Sequence, residues 1–109
     1  MQETCLKMLE SDVKRKVREY LLRSGWFVFN IHQQGQFCHR GISDYIAVKN
    51  GRVLFIEVKK PVGGKQSSYQ IKFERDITEH GGEYLLVNSL ESLVEQIDKY
   101  KQLRICEAI

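Results

Sequence analysis

Three features of the 109-residue sequence predict an α/β fold, a central mixed sheet flanked by helices in the order α-β-β-β-α-β-α. Apolar residues recur at helical spacing in three separate stretches, and four short β-branched or aromatic runs lie among them. An Asn50-Gly51 pair also stands between two of those runs, where it predicts a tight hairpin.

The first helix is expected from Glu3 to Ser24, because Leu6, Leu9, Val13, Val17, Tyr20 and Leu21 form one stripe and Gly25 offers a stop. Trp26 to Ile31 is dense in aromatic and β-branched residues and reads as a strand, with Trp26, Phe27, Phe29 and Phe55 expected in the core. A polar, glycine-containing loop follows from His32 to Gly41. Tyr45 to Val48 and Val53 to Ile56 read as two strands joined at Asn50-Gly51, since this pair readily takes the positive φ angles of a type I′ turn. Pro61 to Ser68 forms a flexible connection, after which Ser67 and Gln70 make a capping box opening a helix to about His80. Gly81-Gly82 ends that helix, Tyr84 to Val87 reads as a buried strand, and Leu90, Leu93, Val94 and Ile97 mark a last helix from near Ser89. The tail beyond Lys101 has no decisive pattern.

Composition narrows the function without naming it. The chain is 42% hydrophobic and 28% charged, which fits one globular domain over residues 1–109. Its formal charge of +3 is compatible with a polyanionic partner and equally with none. Cys5, Cys38 and Cys106 are too widely separated for a disulfide framework or a zinc ribbon, and His32, Cys38 and His39 match no paired zinc spacing. No secretion signal and no membrane-length apolar run is visible, so a soluble cytoplasmic protein is expected, without a membrane partner.

The chemistry is sought on the hairpin. If its register is regular, Lys49 pairs with Arg52 and, counting outward, Asp44 falls directly opposite Glu57. Opposed β-carbons stand about 4.5 to 5.5 Å apart, and like charges there are destabilising. Side chains alternate along a strand, so Lys59 shares the face of Glu57. Two arrangements relieve the repulsion: Lys59 alone, as an inert ion-pair cluster, or a divalent cation such as Mg²⁺, which prefers oxygen ligands. The apolar run Val53 to Ile56 implies cover on both faces of this strand, where unpaired carboxylates are costly.

Helix geometry adds two residues. At about 100° per residue Glu10 aligns with Val13, Val17 and Leu21 near the inward stripe, or serves as an ordinary partner for Lys14. Gln70 precedes Phe73 and Ile77 on a buried stripe, which would aim its amide toward the interior or the sheet, or it simply caps the helix by binding the backbone at Ser67. Lys14, Arg15, Lys16 and Arg18 read as a solvated face.

The pattern of Asp44, Glu57-Val58-Lys59 and Gln70 resembles the virus-type replication-repair nucleases, VRR-NUC, of the PD-(D/E)xK superfamily. The similarity runs from about Glu10 to Val87 and includes Gly25-Trp26, Asn50-Gly51-Arg52-Val53, Ser67-x-x-Gln70 and Gly81-Gly82-Glu83-Tyr84. One departure is Ser43, where the family usually carries proline before the aspartate. The resemblance implies a restriction-endonuclease-like core and hydrolysis of DNA phosphodiesters with Mg²⁺ or Mn²⁺, often at branched or structured DNA, in phages or bacteria. It assigns Asp44 and Glu57 as metal ligands and adds the Val58 backbone carbonyl. Lys59 then orients or activates the attacking water, and Glu10 and Gln70 match two accessory positions, Glu10 near the metal. No small-molecule cofactor is implied.

His39, Arg40, Lys60, Lys65, Lys72 and Arg75 are candidate phosphate contacts, which would supply affinity without sequence readout. Concerted cutting of two strands by one small domain would need a homodimer. The rival expectation is a non-catalytic DNA-binding or assembly subunit that keeps the nuclease fold.

Overall fold

The computed structural model describes residues 9–31 and 40–108. Helix α1 spans Glu10–Arg23, β1 Phe27–Asn30, β2 Tyr45–Lys49, β3 Arg52–Val58, α2 Ser68–Glu79, β4 Glu83–Val87 and α3 Leu90–Ala108. The order is the expected α-β-β-β-α-β-α, and the tail beyond Lys101 continues the last helix. His39, Cys5 and the His32–Cys38 segment lie outside the described residues.

Of the helix expected from Glu3 to Ser24, residues 3–8 lie outside the described residues, and α1 begins at Glu10. Leu9 is extended, with φ −91° and ψ 161°, and its N–H donates to Asp12 Oδ2 at 3.1 Å, so this local cap sets the first turn at Glu10. The helix then buries Val13, Val17 and Leu21.

The four strands lie in the order β1-β2-β3-β4. The first three pair antiparallel, whereas β3 and β4 run parallel, and α2 provides the crossover such a pair requires. Asn50 and Gly51 carry φ values of 50° and 79°, both positive, as the two-residue turn demands, and Lys49 pairs with Arg52. Arg52 locks the hairpin in place. Its Nε donates to Glu83 Oε2 at 2.8 Å on β4 and its Nη2 to the Ile97 carbonyl at 3.0 Å on α3.

The two faces of the sheet are covered unequally. Val28, Tyr45, Ala47, Leu54, Ile56 and Leu85 meet α1 and α3, forming the main core with Val17, Leu21 and Leu93. On the other face α2 inserts Phe73 between Phe55 and Tyr84, with ring centroids 5.9 and 6.1 Å apart. That cover reaches β3 and β4 but not the outer strand. Phe27 is therefore 66% exposed and Phe29 41%, contrary to their expected place in the core; Trp26 is buried as expected. Residues alternate along β1, so Val28 takes the core face and the two phenylalanines take the uncovered one. The same asymmetry leaves Val53 exposed, while Ile56, Glu57 and Val58 at the far end of β3 are buried.

Candidate active site

The ladder between β2 and β3 has its last pair at Tyr45 and Ile56, so one further step along both strands sets Asp44 against Glu57, as the hairpin register predicts. There the backbones part. Asp44 Oδ2 accepts the Val58 N–H at 2.7 Å, taking the hydrogen bond that a continuing strand would have received at its backbone. The carboxylate thus ends the ladder and is held beside β3 by it. A residue's N–H and C=O leave an extended chain on the same side, so the Val58 carbonyl is directed toward Asp44 as well.

Glu57 is only 3% exposed. Gln70 donates from Nε2 to Glu57 Oε2 at 2.9 Å, while Lys59 Nζ stands 3.5 Å from the same oxygen and donates to Gln70 Oε1 at 2.9 Å. Gln70 is therefore a hub. Its Oε1 also accepts the Ser67 N–H at 2.8 Å, and its own N–H donates to Ser67 Oγ at 3.2 Å, so the capping and site roles are held together. Helix initiation at Ser67 fixes where the amide points, and the amide fixes the acid and the ammonium.

The second oxygen, Glu57 Oε1, is buried and has no hydrogen-bond partner. Burial first and the adjoining Asp44 carboxylate second push Glu57 up to about 7, against the lowering effect of Lys59. Burial also raises the Tyr84 phenol, with the Glu57 charge as the next cause.

Asp44 has a further partner that periodicity did not identify. Lys14 Nζ lies 3.4 Å from Asp44 Oδ1 and 3.4 Å from Glu10 Oε2, bridging the two acids. Lys14 therefore belongs to the site rather than to a solvated face. Burial pulls this ammonium down, but Asp44 and Glu10 together outweigh it and hold the group above its ordinary value. Glu10 reaches the site through Lys14, its partner four residues on along the helix. The usable signal was the spacing: an inward Glu10 carries its residue four positions on to the same side of the helix.

The approach to Asp44 is built around Gly41. With φ 78° it is in the left-handed region, and a Cβ there would stand 2.2 Å from the Tyr69 carbonyl oxygen and 2.7 Å from the Gln70 nitrogen. Only glycine lets this loop press against the first turn of α2, joining the Asp44 side of the site to the Gln70 side. Ser43, in the place of the proline in the resembling family, is buried and donates from Oγ to the Tyr45 carbonyl at 3.2 Å. The departure is accommodated within β2's entry and leaves the aspartate in position.

Of the candidate phosphate contacts, Lys60, Lys65, Lys72 and Arg75 are exposed, and Lys72 is paired with Asp76 at 2.8 Å on its own helix. Arg40 is exposed and directs its guanidinium at Tyr69.

Among the described residues no group of three His, Cys, Asp or Glu side chains is gathered closely enough to hold a metal. Asp44 and Glu57 form a pair, with Glu10 held off behind an ammonium. A hard divalent cation that keeps several waters needs only one or two carboxylates, and the unpartnered buried oxygen of Glu57 beside a second acid fits such an ion. The described helices include none long and apolar enough to cross a membrane.

Comparison with known proteins supports the architecture. Two solved structures titled "VRR_NUC domain" and "VRR_NUC domain protein" superpose with TM-scores of 0.72 each, at 23% and 17% identity. The first match covers 84% of this chain and 96% of the other; the second covers 88% and 90%. The chain therefore has the VRR_NUC fold. No family model and no curated protein matches its sequence.

Proposed function

We propose that this chain is a VRR-NUC member of the PD-(D/E)xK superfamily, a metal-dependent endonuclease that hydrolyses DNA phosphodiesters at branched or otherwise structured DNA. The observation that carries the reading is Glu57, a buried carboxylate with one unpartnered oxygen, set against Asp44 and sharing Gln70 with Lys59. Asp44 serves a backbone donor, but a buried Glu57 with an unpartnered oxygen beside it meets no structural need that a neutral side chain would not meet better. The shared VRR_NUC fold points the same way.

Asp44, Glu57 and the Val58 carbonyl would hold Mg²⁺ or Mn²⁺, with Glu10 as an accessory acid. When bound, such an ion polarises a phosphoryl oxygen and lowers the pKa of a coordinated water. Lys59 orients the attacking water and offers positive charge where negative charge develops on the phosphate oxygens. The water oxygen bonds to phosphorus and releases a proton to solvent as an ester P–O bond breaks, and the departing alkoxide takes up a proton from solvent, so that water and phosphodiester become a phosphomonoester and an alcohol. Gln70 keeps Glu57 and Lys59 in register through its two polar ends. Lys14 steadies Asp44 from the α1 side. Lys60 and Lys65, exposed on the segment leading from β3 to α2, supply phosphate contacts without reading bases.

One protomer carries one such site, so coordinated cutting of both strands would be the work of a homodimer acting in the cytoplasm. The test of the reaction is incubation with linear duplex, flap, four-way junction and single-stranded DNA, each with Mg²⁺, Mn²⁺ or chelator. Metal-dependent cleavage, greater on the branched forms, is expected. Binding without cleavage under every condition would favour the non-catalytic subunit instead.

A further inference from the structure

We infer that Tyr69 is a stacking platform for an unpaired nucleobase beside the reacting phosphate, so that the site favours DNA with unpaired nucleotides over continuous duplex. This rests on the nuclease reading above. Tyr69 stands in the first turn of α2, one residue before the Gln70 amide that holds Glu57 and Lys59.

Tyr69 is 49% exposed and yet fixed from several directions. Its hydroxyl accepts a hydrogen bond from Arg40 Nη1 at 2.7 Å, and the same guanidinium lies over the ring, 5.0 Å from its centroid. Its backbone is fixed too, by the Gly41 contact that no larger residue could make. Exposure alone does not set this ring apart, since Phe27 and Phe29 are exposed as well; its tether does. Tyr69 is held at its polar tip and its main chain while about half of the residue stays open to solvent, with one ring face under Arg40 and the other left for a base.

Such a ring suits one kind of ligand. A base arriving on a surface already ordered loses little further freedom in the protein, and every base has a π face, so stacking tolerates any sequence. In a duplex those faces are covered by neighbouring pairs; an unpaired or extruded base exposes them. The guanidinium adjoining the ring adds cation–π attraction and places positive charge where the backbone of a stacked nucleotide would run. Arg40 and Gly41, which meet Tyr69, lead directly into Asp44, so the platform adjoins the segment that carries the first acid, and a base held here would set the phosphate beside it toward that acid.

The test uses the full chain with chelator present, so that no DNA is cut. Affinities are measured for a duplex and for the same duplex extended by a flap carrying 2-aminopurine in its unpaired segment. Tyr69→Ala is expected to weaken flap binding about tenfold and to abolish quenching of the 2-aminopurine, while duplex affinity changes less than about twofold. Tyr69→Phe, which keeps the ring and loses the tether, retains quenching. Should Tyr69→Ala not fold, Tyr69→Leu, which has no π face, replaces it. Undiminished flap affinity in the variant, equal losses on flap and duplex, or no binding by the wild type overturns the inference. Cleavage with metal restored is scored separately. A Tyr69-dependent stack without cleavage removes the nuclease reading alone, whereas cleavage without Tyr69 dependence removes the stacking alone.

Discussion

Asp44→Ala is expected to lower the rate of metal-dependent DNA cleavage by at least about a thousandfold, and Lys59→Ala by a comparable factor. The aspartate is asked to do two things at once. Its Oδ2 accepts the Val58 N–H and so ends the ladder between β2 and β3, while its charge faces Glu57 across the gap this creates. Alanine removes both, leaving an N–H without its partner at a cost of roughly 1 to 3 kcal/mol of stability. Asp44→Asn separates the two roles, because an amide oxygen still accepts from Val58 but the charge is gone. The asparagine variant should melt close to the wild type and cut as poorly as the alanine variant. For Lys59 the loss is of the ammonium that meets Gln70 Oε1 and stands 3.5 Å from Glu57. Initial rates on a fixed flap substrate, with melting curves alongside, decide the matter: wild-type rates in these variants contradict the assignment.

The second large effect is on stability rather than rate. In the metal-free protein Glu57 is raised from 4.5 to about 7, chiefly by burial and then by Asp44. A carboxyl raised on folding binds its proton more tightly in the native state, so its stabilising contribution is complete below the unfolded pKa and is lost as pH rises through the folded value. The metal-free protein should therefore lose stability between about pH 4.5 and 7, by at most a few kcal/mol at roughly 1.4 kcal/mol per pKa unit. Glu57→Gln, neutral at every pH and close in shape, should flatten that slope. Chemical denaturation at several pH values in chelator checks it, and a wild-type slope as flat as that of the variant would show that Glu57 is not under this strain.

The hairpin was the part of the site most legible in the sequence, for a mechanical reason. A two-residue turn with two positive φ angles admits one register, so Asn50-Gly51 alone carries the placement of Asp44 against Glu57, several residues away. Gln70 was legible through its capping box, which set both the helix start and the direction of the amide. Lys14 was not. A long flexible side chain at the edge of a stripe turns inward or outward according to what stands opposite, and what stands opposite is Asp44, from a different element. Phe27 and Phe29 misled for a related reason: hydrophobicity marks a strand, but only the extent of α2 over the sheet decides which face of that strand is covered. The role of Gly41 was hidden because a glycine in a polar loop reads as a turn, and the need for it arises from a helix far along the chain.

If Asp44 and Glu57 stand together for the sake of a divalent ion, the metal-free protein binds one without DNA. Calorimetric titration of the metal-free protein with Mn²⁺, without DNA, tests it most directly, comparing the wild type with Glu57→Gln. Saturable binding by the wild type, lost or greatly weakened in the variant, is the expected result. Equal binding by both proteins, or none by the wild type, would contradict a metal site at this pair.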